Sequence, residues 1–389
     1  MKETLRQAAG SLLVVGLEGN ELTAMERAWL KLIRPAGIIL FKRNIADREQ
    51  TRALLAESTG FCTPHCGAFV DVEGGTVDRL RDVLAPMPSV QTVAIAMRFK
   101  ENGNSQNPTL GAKTKTRPGW GTQNSLAREH GELVARAAKA FGFNSSFAPV
   151  LDLALPESRR VMETRTAAAT GEGVTAYARE FLAGLAAQGV AGCGKHFPGL
   201  GGGTLDSHLE TPKIERSWPQ LWKEDLEPYR ALRDELPMVM VNHAAYPLTA
   251  DPVRPATVSK FWMQTVLRKR IGYRGIVVSD DLEMGGVSKF MPIAEAAVST
   301  VRLGADIALI CHHPEPILQV YEALIHEGER SAAFRRILLG QARESARKRV
   351  KTFPAKMPAA LNAKQFEALR ARILRFGETV AKAAAREMA

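Results

Sequence analysis

Short apolar runs alternate with longer stretches of helical periodicity along most of the chain. The apolar runs are continuous, without alternating polar positions, as is typical of parallel strands buried on both faces. We predict eight strands, at residues 12–15, 37–41, 68–72, 145–150, 189–193, 237–241, 275–279 and 307–311. Helical patterns occur between or after them, at residues 22–33, 126–141, 174–188, 219–233, 260–270, 293–303 and 315–327. This succession of strands and helices indicates an α/β fold, a single (β/α)8 barrel domain of the TIM type.

Two segments do not follow this alternation of strands and helices. Residues 101–124 are rich in Asn, Gly, Thr and Lys, so we predict an insertion or long surface loop there. Beyond residue 340 the chain is helical and basic, and we predict a final helix at residues 365–388. The expected organisation is a barrel domain at residues 1–340 and a helical, basic C-terminal extension at residues 341–389.

Composition narrows the class of protein. Hydrophobic residues make up 45% and charged residues 24% of the 389 residues, which indicates a globular chain. The net charge of +11 is modest, and its basic cluster lacks the interleaved aromatics of a nucleic-acid-binding surface, so we expect no nucleic-acid partner. No apolar run approaches the ~20 residues of a membrane span. The apolar stretch at residues 12–17 is too short for a signal peptide and lacks a cleavage site, so we expect a cytoplasmic protein.

The four cysteines do not form a recognisable metal or disulfide pattern. Cys62 and Cys66 flank three residues without a matching second pair, while Cys193 and Cys311 stand alone. This spacing is weak evidence for zinc and gives no disulfide framework, so it fits a reducing compartment.

The segment from Lys195 to His208 has the composition of a functional loop. Four glycines fall within residues 199–203, and such a backbone suits a loop that bends or approaches a ligand closely. Asp206 lies two residues before His208, where its carboxylate can orient the imidazole ring and favour the protonated form. The pattern predicts a mobile loop that carries an acid/base histidine.

Polar residues follow or end almost every predicted strand. In a (β/α)8 barrel these strand ends meet at one face, where active sites lie. The residues concerned are Lys42, Arg43, Asn44, Asp71, Glu73, Asp152, Arg159, Arg160, Arg165, Lys195, His196, Asn242, His243, Asp280, Asp281, His312 and His313.

Acids, histidines and cations that converge with apolar walls suit a sugar substrate. A glycosidase needs one group at the anomeric carbon and another that protonates the leaving oxygen. Asp280 or Asp281 could be the first group, and His208 the second. Metal-dependent hydrolysis is the rival, with His196, His208, His243, Asp280 and Asp281 as candidate ligands, but no His-x-His or His-Glu-x-x-His spacing supports it.

Several motifs together resemble glycoside hydrolase family 3, in particular its β-N-acetylglucosaminidases of bacterial peptidoglycan recycling. The segment from Lys195 is similar to the family pattern Lys-His-Phe-Pro-Gly-His-Gly-x4-Asp-Ser-His. The resemblance covers about residues 13–320. Its other motifs are Gly37-Ile-Ile-Leu-Phe-Lys-Arg-Asn44, Asp71-Val-Glu-Gly-Gly-Thr-Val-Asp-Arg79, Phe147-Ala-Pro-Val-Leu-Asp152 and Ser279-Asp-Asp-Leu-x-Met284.

The resemblance implies a retaining hydrolase without metal or cofactor. Asp280 would be the nucleophile, His208 the acid/base and Asp206 the dyad partner of His208, while Asp281 holds structure. The residues implied in sugar binding are Asp71, Arg79, Arg165, Lys195 and His196. The implied substrate is a small carbohydrate of the muropeptide type. The oligomeric state is left open, with a monomer slightly favoured.

The sequence departs from the family pattern at one loop position, and other activities stay open. The family's second loop histidine is Leu200 here, so we expect altered loop dynamics or leaving-group preference rather than loss of activity. Little chain follows the barrel, so the acid/base is expected from the barrel itself rather than from a second domain. Alternatives are a β-glycoside phosphorylase, a broad β-glucosidase and a non-catalytic sugar-binding barrel.

Residues outside these motifs have mainly structural interpretations. His130 falls in a helical pattern and is expected at the surface. His243 suits either a pocket wall or a hydrogen-bonded structural position. Trp218 and Trp222 are expected to pack or cap a helix rather than stack on a sugar.

Overall fold

Eight parallel strands close into a barrel in the computed structural model, which describes residues 4–104, 126–203 and 211–388, with backbone alone for residues 99–104. The strands are β1 (Leu13–Gly16), β2 (Gly37–Leu40), β3 (Gly67–Val70), β4 (Ser145–Ser146), β5 (Ala191–Phe197), β6 (Met238–Val241), β7 (Ile276–Asp281) and β8 (Ile307–Ile310). Each strand pairs in parallel with its chain neighbours, and β8 pairs with β1, where Val14 lies opposite Leu309. The predicted TIM-type barrel is confirmed.

Helices surround this barrel on the outside. They are α1 (Leu5–Gly10), α2 (Ala24–Ile33), α3 (Arg48–Thr59), α4 (Val90–Asn104), α5 (Leu126–Ala140), α6 (Arg159–Met162), α7 (Gly171–Ala187), α8 (Trp218–Gln220), α9 (Glu227–Ala231), α10 (Gly285–Ser288), α11 (Ile293–Arg302), α12 (Pro314–Arg330), α13 (Ala332–Thr352) and α14 (Ala363–Met388). Two π-helical segments (Leu221–Asp225 and Phe261–Ile271) and three short 3-10 turns (Lys42–Asn44, Pro156–Ser158 and Ala256–Val258) accompany them. A small hairpin (Val72–Gly74 with Val77–Asp78) follows β3.

Two strands differ from their predicted boundaries by more than two residues at one end. The predicted strand at 145–150 is regular only over Ser145–Ser146, because Pro149 has no N–H for the ladder and pairing resumes as a bridge between Val150 and Lys195. The predicted strand at 189–193 begins later, since Gly189 adopts a φ of 70° in the preceding turn. It extends to Phe197, so Lys195 and His196 lie within β5 rather than after it.

The predicted helix at 219–233 is interrupted. The N–H of Leu226 donates to the carbonyl of Leu221, which is a π-type bond five residues back. Pro228 has no N–H to continue a regular α-helical ladder, and it lies at the start of α9. The chain therefore forms α8, a π-helical segment and α9 in place of one α-helix.

The C-terminal chain covers the end of the barrel where the strands begin. Phe353, which follows α13, is buried with residues that point into the barrel interior, and its ring packs edge-on against Phe69 at 5.6 Å. The side chain of Lys348 contacts Asp306 just before β8, and Ser345 donates to the Asp306 carbonyl. The helix α13 runs through residue 340 without a break. The domain boundary proposed at that residue stays a prediction.

The remaining predictions concern the insertion and the final helix. The helix α4 extends to Asn104, so the first residues of the predicted insertion are helical, while residues 105–124 lie outside the described part of the chain. The final helix is confirmed as α14, which packs on α4 and α5. In the described ranges, no helix has the length and apolar character needed to cross a membrane.

Candidate active site

A cavity of about 190 Å³ opens at the carboxyl-terminal ends of the barrel strands. Its charged and polar lining consists of Asp71, Glu73, Arg79, Arg165, Lys195, His196, Asp280, Asp281 and His312. Its apolar lining includes Ile39, Phe41, Phe147, Leu200, Met240, Met284 and Leu309. The fold thus brings together every predicted nucleophile and sugar-binding residue. The predicted acid/base pair, Asp206 and His208, lies outside the described residues.

A buried cluster of opposite charges forms one wall of the cavity. Lys195 Nζ lies 2.9 Å from Asp71 Oδ1 and 2.6 Å from Glu73 Oε1. Burial by itself lowers the pKa of the Lys195 ammonium, but the two carboxylates outweigh burial and raise it. The pKa of Asp71 is likewise lowered against the effect of its burial, by the charges of Lys195 and Arg79. Both groups are therefore charged at neutral pH.

Glu73 is a component of this site that the sequence analysis did not assign. Its fully buried carboxylate accepts two hydrogen bonds from Arg165, from Nε and from one terminal nitrogen, both at 2.8 Å. The charges of Arg165 and Lys195 overcome the effect of burial and hold the pKa of Glu73 well below its usual range. A bidentate pair of this kind fixes the plane of the guanidinium. Glu73 therefore orients both cations toward the cavity.

A tight turn of two glycines follows Glu73. Gly74 and Gly75 adopt φ values of 98° and 66°, a region that favours glycine. A Cβ atom on Gly74 would lie 2.1 Å from the Pro88 carbonyl oxygen, so no larger residue fits there. The Glu-Gly-Gly motif is thus the sequence signal that could have identified Glu73 as part of the site.

His196 is held by a second residue that the sequence analysis left without a role. Asp152 Oδ2 accepts a hydrogen bond from His196 Nδ1 at 2.6 Å, and Asp152 is buried. Because a carboxylate can only accept, Nδ1 carries the proton, while Nε2 lies 3.4 Å from a terminal nitrogen of Arg165. The same Asp152 accepts the N–H of Leu200 at 2.7 Å, which ties the start of the glycine-rich loop to the histidine.

The two aspartates at the end of β7 have different environments. Asp281 Oδ1 accepts the N–H of Glu283, and its Oδ2 lies 3.2 Å from His312 Nε2. The hydrogen bond to Asp281 raises the pKa of His312, although partial burial opposes the rise. Asp280 lines the cavity and accepts the N–H of Asp281 at 2.9 Å. Both aspartates thus line the cavity, and Asp281 is in addition held by contacts with Glu283 and His312.

Two other histidines are fully buried. His243 is fully buried, with Nδ1 2.8 Å from the Thr257 hydroxyl and Nε2 2.9 Å from the Asp281 carbonyl, so it is structural. The surface prediction for His130 is wrong. It is fully buried against Tyr177 and Phe181, and its burial lowers its pKa to about 3. The helical pattern did not indicate this burial, because the face of α5 that carries His130 packs against α7 and α14.

The remaining polar and aromatic candidates lie away from the cavity. Arg159 and Arg160 are exposed on α6 and do not line it. Trp218 and Trp222 pack against each other, with ring centres 5.4 Å apart, as expected from the sequence. Leu200 is almost completely buried and forms part of the cavity wall, where the family pattern has a histidine.

Comparisons with known proteins agree with this geometry. The family model of the glycosyl hydrolase family 3 N-terminal domain matches residues 4–339. A β-hexosaminidase from Alkalilimnicola ehrlichii is 37% identical over 313 residues, which cover 80% of this chain and 84% of that protein. A β-hexosaminidase from Thioalkalivibrio sulfidiphilus is 36% identical over 315 residues, with 81% and 84% coverage.

Solved structures show the same similarity. The structure of NagZ from Neisseria gonorrhoeae has a TM-score of 0.72 and 29% identity, and the match covers 96% of this chain and 98% of that one. A glycoside hydrolase family 3 β-N-acetylglucosaminidase from a Paenibacillus species has a TM-score of 0.80 and 28% identity, with 96% and 69% coverage. The matched barrel, its motifs and these relatives together establish that the chain belongs to glycosyl hydrolase family 3.

Proposed function

We propose that this protein is a retaining β-N-acetylglucosaminidase that removes terminal N-acetylglucosamine from muropeptide-like β-glycosides. The observation that supports the proposal is that Asp280 lines the same cavity of about 190 Å³ as the buried charged cluster of Lys195, Asp71 and Glu73. The relatives named β-hexosaminidase and β-N-acetylglucosaminidase support the choice of N-acetylglucosamine over glucose.

In the proposed mechanism, Asp280 attacks the anomeric carbon and the bond to the leaving oxygen breaks. His208, oriented by Asp206, donates a proton to that oxygen and the aglycone departs, leaving a glycosyl-enzyme ester on Asp280. His208 then accepts a proton from water, the water oxygen bonds to the anomeric carbon, and the ester bond to Asp280 breaks. The product keeps the β configuration.

The charged wall supplies the contacts for the sugar in this proposal. Lys195 and Arg165 are donors whose direction is fixed by their buried carboxylate partners, so little reorganisation is needed when a hydroxyl or carbonyl oxygen arrives. Asp71 accepts hydrogen bonds from hydroxyl groups, and Arg79, 3.7 Å from Asp71, borders the same region. The Nε2 atom of His196 faces the cavity beside Arg165.

We further propose that the reaction takes place in the cytoplasm, on fragments released from the cell wall. All four cysteines are free thiols, and Cys62, Cys193 and Cys311 are buried, which suits a reducing compartment. The NagZ relative covers nearly the whole of this chain and supports assigning the same substrate class.

Paired aryl substrates test the proposed activity. We expect turnover of an aryl β-N-acetylglucosaminide and little turnover of the matching β-glucoside, with N-acetylglucosamine as product both with and without phosphate. A sugar phosphate as the main product would instead establish the phosphorylase alternative. Sugar binding without turnover of either substrate would establish the non-catalytic alternative.

A variant of Asp280 tests the nucleophile. Asp280→Ala should reduce turnover to background while N-acetylglucosamine still binds in calorimetry, because the charged wall is intact. Asp82→Asn is the matched control, since Asp82 is an exposed acid paired with Lys42 and does not line the cavity. Substantial activity of Asp280→Ala would show that another group attacks the sugar.

A further inference from the structure

A largely buried ion pair lies against residues 199–203, the glycine-rich chain that follows β5. Arg216 Nε donates to Asp225 Oδ2 at 2.8 Å, and a terminal nitrogen of Arg216 contacts Glu224. The side chain of Arg216 is 13% exposed and that of Asp225 is 1% exposed. Arg216 belongs to the chain that returns from the loop, and Asp225 ends the π-helical segment before α9. The pair therefore connects the returning limb of the loop to the barrel.

The outgoing limb of the loop, residues 199–203, rests directly on this pair. We call residues 199–203 the loop stem. A Cβ atom on Gly199 would lie 3.1 Å from Asp225 Oδ1, and a Cβ atom on Gly202 would lie 2.8 Å from Arg216 Cδ. Both limbs of the loop thus meet at the same two side chains, and the absence of a side chain at Gly199 and Gly202 permits this contact.

The loop stem is fixed on its other side by the barrel. The N–H of Leu200 donates to Asp152, which also holds His196, and the hydroxyl of Tyr246 donates to the Gly199 carbonyl at 2.8 Å. A Cβ atom on Gly201 would lie 2.8 Å from the Leu153 carbonyl oxygen. The loop stem is consequently held between the Asp152 region and the Arg216–Asp225 pair, and removing the pair releases one side of it.

We propose that Arg216 and Asp225 are positioning residues for catalysis, which fix the loop stem so that the loop presents its acid/base group to the cavity. This inference rests on the proposed function, in which that group is His208. Neither Arg216 nor Asp225 lines the cavity, so they act through the loop and not on the sugar. Displacing the general acid slows bond cleavage most for substrates whose leaving group requires protonation.

The test compares two N-acetylglucosaminides in Arg216→Met and Asp225→Asn. One carries an activated dinitrophenyl leaving group and the other an alkyl leaving group. Because kcat/KM reports only the steps up to release of the first product, we expect it to fall about tenfold or more for the alkyl substrate and less than about threefold for the activated one. The Kd for N-acetylglucosamine should change by less than about twofold, because the sugar-binding wall is untouched.

Hydrogen exchange provides a readout that does not depend on the identity of the acid. Amides of the loop stem should exchange about tenfold faster in Arg216→Met, while those of β2 should not change. Arg268→Met is the matched control, since Arg268 pairs with Asp306 at 2.9 Å at the opposite end of the barrel and is 19% exposed. It should lower the Tm without changing the ratio of the two kcat/KM values.

The outcomes of these measurements decide the proposal. An equal loss on both substrates, or a lower Tm with an unchanged ratio and unchanged exchange, would overturn it and leave the pair structural. If Arg216→Met does not fold, Arg216→Lys keeps the charge without the planar fork and should show the same direction with a smaller effect. If His208→Ala lowers kcat/KM equally for both substrates, the proposed acid is wrong. The positioning role is then supported only if Arg216→Met still lowers kcat/KM more for the alkyl substrate and speeds exchange in the loop stem.

Discussion

Replacing Glu73 by glutamine would remove the negative charge at the centre of the charged wall while preserving its size. In the native protein this carboxylate is fully buried, makes two hydrogen bonds to Arg165 and lies 2.6 Å from Lys195 Nζ. Glutamine keeps one acceptor oxygen but places an amide group where the second oxygen accepts. We expect Arg165 to lose its bidentate orientation and Lys195 to depend on Asp71 alone.

The expected loss in the free energy of unfolding follows from the burial of Arg165 and Lys195. Removing one member of a buried ion pair destabilises a protein by about 3–5 kcal/mol, since the remaining charge is left without compensation. We expect about 3 kcal/mol, because glutamine retains one acceptor and Asp71 still neutralises Lys195. At about 2.1 cal/mol/K per residue, unfolding 389 residues has an entropy of about 0.8 kcal/mol/K, so the Tm should fall by about 4 °C.

The pH dependence of this difference has a defined sign. The pKa of Glu73 is lowered in the folded state, so its contribution is present above the unfolded pKa of about 4.3 and is lost as pH falls through the lowered value. The difference in stability between native protein and Glu73→Gln should therefore be constant from about pH 8 to pH 5 and shrink only in stronger acid.

The assay combines thermal unfolding with calorimetric binding of N-acetylglucosamine. We expect Kd to rise about tenfold, equivalent to about 1.4 kcal/mol, because the two donors lose their fixed direction. Glu57→Gln is the control, since Glu57 pairs with Arg27 at the surface, and its Tm should change by less than about 1 °C. A lower Tm with unchanged sugar affinity would refute the idea that Arg165 and Lys195 bind the sugar. An unchanged Tm would refute the electrostatic role of Glu73.

Three further predictions concern the proton donor, the rim of the cavity and the metal alternative. His208→Ala should lower kcat/KM for alkyl glycosides about a hundredfold or more and far less for dinitrophenyl glycosides, and an equal loss would contradict the acid role. In Asp281→Asn the pKa of His312, followed by NMR titration, should fall toward about 6.5, because the hydrogen bond that raises it is weakened. That attraction is fully present below about pH 6.5 and is lost as pH rises through the raised pKa, so an unchanged titration would mean that Asp281 is not the cause. Incubation with a chelator should leave activity unchanged, as expected for carboxylate and imidazole catalysis, and inactivation that added zinc reverses would favour the metal-hydrolase alternative.

The sequence alone was sufficient for the barrel and for most of the cavity. Continuous apolar runs identify strands buried on both faces, and parallel strands in chain order bring their carboxyl ends to one face. That is why the sequence alone assigns Asp71, Lys195, His196 and Asp280 to one site. Motif similarity then added Arg79, which lies after a hairpin where no periodicity indicates its direction, and gave a sugar-binding role to Arg165.

The tertiary structure decided how those residues are held. Glu73 and Arg165 are 92 residues apart in sequence, and their pairing depends on the conformation of the Gly74–Gly75 turn and on the closure of the barrel. The burial of His130 and the insertion of Phe353 into the barrel interior depend on contacts between distant elements. The local sequence pattern indicates which face of a helix or strand is buried. It contains no information about which distant side chain pairs with a given charged residue. The sequence therefore determined the elements and the chemistry of this protein, while the fold determined the ion pairs that orient that chemistry.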